Sequence, residues 1–298
     1  MNRAPLPAVP VTLLPLPRPL MTGEVLDAAF RLFRAGLLRT LPYSGLAVLV
    51  LELPALYSAV LGDTYVFAHR TTMAMGRGVA VENPVSPYAM PGLTDGMLVF
   101  VSALLLSVLL FGVITLRLSA VSRGERPSFR REIPTAIRRW PPALIATLAA
   151  FGFPMLIYGV ASVVNPFLAI QLTFALTLPM LWPMALFIVS LPAFWCDGLA
   201  PFAAVARAAR ISRRRTWRIV GAILATGCMV AVFYVLTLIV AAMVGAVLAG
   251  ADLVLMSIVR SLLVLVLGAF GVPFVLSVLI VAYEDLKLRD AERREARA

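Results

Sequence analysis

Residues 96–116 read GMLVFVSALLLSVLLFGVITL, and this stretch decides the fold class. It is uncharged throughout and apolar all round a helix, not along one stripe. A helix that covers a soluble core shows a stripe, whereas one surrounded by hydrocarbon shows none. About 20 such residues cross the roughly 30 Å hydrocarbon core of a bilayer. Five further segments share this character, at 42–61, 142–163, 169–195, 219–241 and 261–282. The sequence therefore predicts an all-α membrane protein with about six transmembrane helices. Pro179, Pro183 and Pro192 in the fourth predict a kinked or interrupted helix, because proline lacks an N–H and collides with the preceding turn. Residues 242–259 are also apolar, which leaves open a longer fifth or sixth helix or a segment dipping back into the bilayer.

Composition agrees. The chain is 61% hydrophobic and 14% charged, with a mean hydropathy of +0.95; soluble domains run at about 45–50% apolar and about 25% charged. The net charge of +11 raises the question of nucleic acid, and its distribution answers no. Of 26 basic residues, 23 fall within 1–40, 117–141, 196–218 and the tail after 283. Residues 62–95 hold only Arg70 and Arg77, and Arg260 borders the last span. Basic loops alternate with basic-poor ones, so the positive-inside rule predicts a multi-pass protein with both termini cytoplasmic.

The ends and connections fall into three parts. Residues 1–21 carry prolines at 5, 7, 10, 15, 17 and 19, which forbids a signal-peptide helix and predicts a disordered cytoplasmic arm. Residues 22–283 form one polytopic membrane domain, and 284–298 a charged cytoplasmic tail. At 22–40, Val25, Leu26, Ala29, Phe30, Leu32, Phe33 and Leu37 share one helical face, opposite Glu24, Asp27, Arg31 and Arg34. Thr22 is the predicted cap, and the pattern predicts an amphipathic helix lying in the headgroup plane before the first span. In 201–218, Phe202, Val205, Ala206 and Ala209 oppose Arg207, Arg210 and Arg214. Arg213, Arg214, Arg215 and Arg218 then crowd the start of the fifth span, with Trp217 at interface depth. Arginine-bearing stretches before the first, third and fifth spans suggest a threefold repeat of helical hairpins, a pattern the positive-inside rule also produces unaided.

Arg31, Arg34, Arg207, Arg210, Arg214, Arg215, Trp217 and Arg218 are the candidate contacts to anionic lipid headgroups or protein partners. Anionic lipid attracts each cation by about 1 kcal/mol near the surface. Arginine accounts for 25 of the 26 basic residues, and its planar fork matches phosphate as an ammonium does not; a GC-rich genome gives the same bias. Glu52, midway through the first span, is the candidate intramembrane polar site. A carboxylate at that depth is costly unless protonated or paired, and marks a proton relay, an ion site or an interhelical contact. Arg260, the nearest basic residue by span assignment, lies close to the outer interface and not at that depth.

No catalytic residue, cofactor or metal ligand is assigned. The chain has no GxSxG, no HExxH and no phosphate-binding glycine loop. Cys196, Cys228 and His69 lack metal-site spacing, as do Asp63, His69, Glu82 and Asp95 among themselves.

PAFWCDGLAPFAAVARAARISRRRTWRIVGAIL at 192–224 resembles a segment of the bacterial glycerophosphoryl diester phosphodiesterase membrane-domain family. There a small acidic turn leads to an Ala-rich, Arg-bearing helix, then Arg-Trp-Arg and a span. The tail VAYEDLKLRDAERR is similar to that family's closing pattern, carried here by Tyr283, Asp285, Leu286, Lys287 and Arg289, and GEVLDAAFRLFRAGLLRTL resembles its opening helix. Lys287 stands where arginine is common, and Ala-Arg-Ile-Ser-Arg-Arg-Arg replaces the family's Ser-x-x-Leu-x-x-Gly before Trp217. The resemblance implies a stand-alone, all-helical module of the bacterial inner membrane without the hydrolase domain, so diesterase activity is not carried over. The function expected is non-enzymatic: a basic cytoplasmic face that organises anionic lipid, or protein partners encoded by co-transcribed genes. The alternative is a small transporter or permease with a midplane site around Glu52; a membrane-embedded enzyme ranks third.

Overall fold

Pairing of the first and last helices organises the chain. The computed structural model describes residues 14, 16–61, 93–164, 189–212, 216–247 and 253–296. Every regular element among them is helical: α1 (Thr22–Leu61), α2 (Leu93–Ser122), α3 (Phe129–Val164), α4 (Pro201–Ser212), α5 (Thr216–Val247) and α6 (Leu253–Glu295), plus a helical segment at 189–195. Three described stretches, Thr22–Leu53, Val101–Ser122 and Ser261–Glu295, are long and apolar enough to cross a bilayer. Helix α5 exposes Met229, Val232, Phe233, Leu236, Ile239 and Met243. An apolar surface of that kind suits hydrocarbon and not water, and these features together are compatible with a membrane protein.

Helices α1 and α6 run antiparallel along most of their length. Phe33 packs edge-on against Phe274 with ring centroids 5.7 Å apart, the Ser44 hydroxyl meets the Ala269 carbonyl at 2.7 Å, and Ser261 donates to Glu52 at 3.2 Å. Small residues allow the backbones to approach, as is usual where lipid removes the hydrophobic drive between helices. A Cβ on Gly268 would fall 2.7 Å from a Val48 methyl, and one on Gly36 would fall 2.7 Å from Leu118 of α2.

Pro273 lies inside α6 and is fully buried. Proline has no N–H for the carbonyl four residues earlier, which is Ala269. That is the carbonyl the Ser44 hydroxyl reaches from α1. In a dry environment a freed carbonyl needs such a donor. Three other buried hydroxyls turn back on their own helices: Thr40 to Gly36, Thr115 to Phe111, and Ser277 to Pro273.

Several expectations change here. The amphipathic 22–40 stretch is not a separate in-plane helix, because α1 runs unbroken through Pro42 into the first predicted span. Val25, Ala29 and Leu32 of its apolar face are buried in a core shared with Ile114 and Leu118 of α2 and Val278 and Val281 of α6, while Phe30 stays exposed, so packing claims most of the face that the headgroup plane was expected to take. At 40 residues and about 1.5 Å each, α1 spans roughly 60 Å, twice a hydrocarbon core. The cap also differs: Glu24 accepts the Met21 N–H at 2.7 Å, which makes Met21 the residue before the helix and Thr22 the first within it. The end of the proline-rich arm is docked. Leu14, Leu16 and Leu20 are buried, and the Leu14 N–H bonds the Ser122 carbonyl at 3.0 Å; prolines that forbid a helix leave an extended strip able to lie along one.

Helix α3 likewise runs through Pro134, Pro141 and Pro142 into the third predicted span. The third arginine-bearing stretch instead forms a distinct helix, α4. Helix α5 ends at Val247 and α6 begins at Leu253. Most of the fourth predicted span, with Pro179 and Pro183, and the 62–92 segment with His69 lie outside the described residues.

Candidate functional site

The arginine-rich segments converge because the last turns of α6 act as a post for three other parts of the chain. Asp285, almost fully buried, accepts the Leu20 N–H at 2.7 Å and Arg289 Nε at 2.9 Å. Arg289 also donates to the Leu20 carbonyl at 2.6 Å, so both backbone groups of Leu20 are clamped ahead of α1. Two residues earlier on α6, the Tyr283 hydroxyl donates to Asp197 at 2.7 Å. Lys287 lies 3.5 Å and Arg207 of α4 3.9 Å from the same carboxylate. Asp197 thereby ties the turn after 189–195, helix α4 and the end of α6 together.

That turn is built locally. Gly198 has φ +71°, a conformation that side chains resist, and a Cβ there would fall 2.5 Å from the Arg139 guanidinium. Arg139 donates to the Trp195 carbonyl across the gap. Trp195 fits against α2 only because position 112 is glycine, where a Cβ would fall 2.3 Å from its ring.

A second buried charge pair joins α2 to α3. Arg117 Nε lies 3.4 Å from Glu132 Oε2, near enough to pair as ions though not aligned as a hydrogen bond. The guanidinium also covers the Tyr43 ring at 4.6 Å. Glu132 accepts the Ser128 N–H at 3.0 Å, closing the first turn of α3. Burial raises the Glu132 carboxyl above its ordinary range, while Arg117 and the Ser128 N–H pull it back. Burial likewise pushes the Cys196 thiol up to about 11, which keeps it protonated and poorly nucleophilic at neutral pH.

The candidate contacts fall into three groups. Arg31, exposed, pairs with Asp27, and Arg34 is exposed on the same helix. Arg207 is drawn to Asp197, whereas Arg210 on α4 is exposed without a carboxylate partner among the described residues. Arg214 and Arg215 lie outside the described residues; Trp217 and Arg218 lie in the first turn of α5, with their side chains outside the description. Glu52 has a hydrogen-bond donor in Ser261, so the interhelical contact is the option it takes up. The sequence reading missed Asp197, Arg117 and Glu132. An acid beside a glycine in Cys196-Asp197-Gly198-Leu199 was the available signal for the first. The other two, 15 positions apart, gave none.

The described residues contain no group of three or more His, Cys, Asp or Glu side chains placed to hold a metal ion. No family model, curated protein or solved structure matches the chain.

Proposed function

We propose that this chain is a six-span, inner-membrane module, both termini cytoplasmic, whose basic end organises anionic lipid or protein partners without catalysing a reaction. The observation that carries the reading is convergence. Contacts from Leu14 to Ser122, Leu20 to Asp285 and Asp197 to Tyr283 bring the start of α1, the end of α2, helix α4 and the end of α6 to one end of the bundle. Those segments carry arginines from four separate parts of the chain, and some, such as Arg34 and Arg210, are exposed and unpaired among the described residues. Clusters of this kind beside apolar helices are attracted to anionic headgroups. The resemblance to the glycerophosphoryl diester phosphodiesterase membrane-domain family adds only the expectation of a stand-alone helical membrane module. The transporter reading rests on Glu52, whose hydrogen bond with Ser261 favours a structural role, and on the proline-bearing fourth predicted span, most of which lies outside the described residues.

Purification of the tagged protein in native lipid, followed by lipid and protein mass spectrometry, tests the proposal. Enrichment of anionic over zwitterionic lipid, or recovery of a defined partner, is the expected outcome. A preparation with neither refutes it.

A further inference from the structure

We propose that a cleft between α3 and the turn into α4 binds the phosphate group of an anionic phospholipid, with Arg138 as its principal ligand. The cleft has a volume of about 670 Å³, within the roughly 300–1,000 Å³ usual for small-molecule sites. One wall is α3 from Pro134 to Pro142; the other is Phe194 and the turn from Gly198 to Pro201.

Its two cations are in different states. Arg139 is committed, donating to the Trp195 carbonyl and lying against Gly198. Arg138 lines the same cleft, is exposed, and has no hydrogen-bond or ion-pair partner among the described residues. The cleft is therefore lined by one committed guanidinium and one whose donor fork is available, and a free fork can meet two oxygens of one phosphate. Phe194, Leu199 and Pro142 also line the cleft, and a bare inorganic anion makes no use of such surface. The first carbons of a glycerol ester do.

Depth supports the same occupant. Arg139 meets the carbonyl of Trp195, whose ring packs on Gly112, four residues inside the basic end of the second predicted span at 96–116. Arg138 itself stands four residues before the third predicted span at 142–163, close to the level where basic side chains and headgroups meet. Phosphate chemistry is shared by free phosphate, but a mouth of two arginines over an apolar lining at this level selects the lipid. The inference rests on the proposal that the basic end faces headgroups, and it assigns one place within that end.

The test uses the full chain in detergent, with bound phosphatidylglycerol and phosphatidylcholine counted by native mass spectrometry. Arg138→Ala should weaken the tightest phosphatidylglycerol about tenfold, as loss of one charge-assisted contact implies. Arg138→Lys should recover part of this, and Ala200→Trp, which fills the cleft without removing charge, should weaken binding likewise. Arg34→Ala and Arg210→Ala should leave that lipid in place, and millimolar inorganic phosphate should not displace it. Full retention by both Arg138→Ala and Ala200→Trp overturns the site. Displacement by inorganic phosphate overturns the lipid assignment in favour of free phosphate. Failure of the wider proposal shows separately, as an unmodified protein with no preference for phosphatidylglycerol over phosphatidylcholine and no recovered partner.

Discussion

Replacing Ser44 by alanine tests whether α1 repairs a defect that proline makes in α6. Pro273 leaves the Ala269 carbonyl without its helical donor, and Ser44 Oγ approaches that oxygen at 2.7 Å from the neighbouring helix. The weaker contacts of the same hydroxyl, to Leu41 at 3.0 Å and Thr40 at 3.2 Å, go to carbonyls of its own helix. Loss of a donor to a buried group costs about 1–3 kcal/mol, while interhelical hydrogen bonds in membrane bundles average about 0.6 and reach about 1.7 kcal/mol. Ser44 is fully buried and the carbonyl is proline-freed, so the upper part of the second range applies, about 1.5 kcal/mol. The decisive comparison is a double-mutant cycle. Pro273→Ala restores an N–H for Ala269, so Ser44→Ala should cost about 1.5 kcal/mol in the native background and less than about 0.5 kcal/mol beside Pro273→Ala. Reversible unfolding in mixed micelles, followed by circular dichroism, gives both values. Equal costs in the two backgrounds would show that Ser44 does not serve the proline-freed carbonyl.

Four further outcomes follow from the same contacts. Gly112→Ala should destabilise by about 1–3 kcal/mol, because the new Cβ falls 2.3 Å from the Trp195 ring; Trp195→Leu should suppress that effect, and strict additivity in thermal melts would contradict the contact. Asp285→Ala should cost about 3–5 kcal/mol by stranding a mostly buried Arg289, and proteolysis near residue 20 should accelerate as the clamp opens; an unchanged cleavage rate would count against the clamp. For Glu132, the folded protein favours the protonated acid, so its contribution is complete below the ordinary carboxyl value of 4.5 and is lost as pH rises through the elevated one. Melting of the native protein should therefore fall relative to Glu132→Gln as pH rises above 4.5, and a rise would reverse the assignment. Glu52→Gln keeps an acceptor for Ser261 and should shift stability by less than about 1 kcal/mol. In proteoliposomes neither form should carry a pH-dependent flux, and a flux abolished by the substitution would favour transport.

Helical character was legible because it depends on local composition. An uncharged run such as 96–116 satisfies its backbone only as a helix once water is absent, whatever its neighbours do. The clustering of arginine was equally plain, being a property of spacing along the chain. Partner choice was not legible. The face carrying Val25, Ala29 and Leu32 is the same amphipathic stripe whether lipid or another helix covers it, and only the pairing with α2 and α6 shows that protein does. The arm at 14–20 looked unfit for structure because its prolines exclude a helix, yet an extended strip of leucines packs once a groove exists. Asp197 and Tyr283, 86 positions apart, carry no signal of each other. Nor does Arg138, one arginine among many in sequence, set apart only when Arg139 beside it turns to Trp195 and leaves its neighbour at the mouth of a cleft. Local solvation fixed the helices and their basic connections; long-range contact decided which of those charges hold the fold together and which remain available to a ligand.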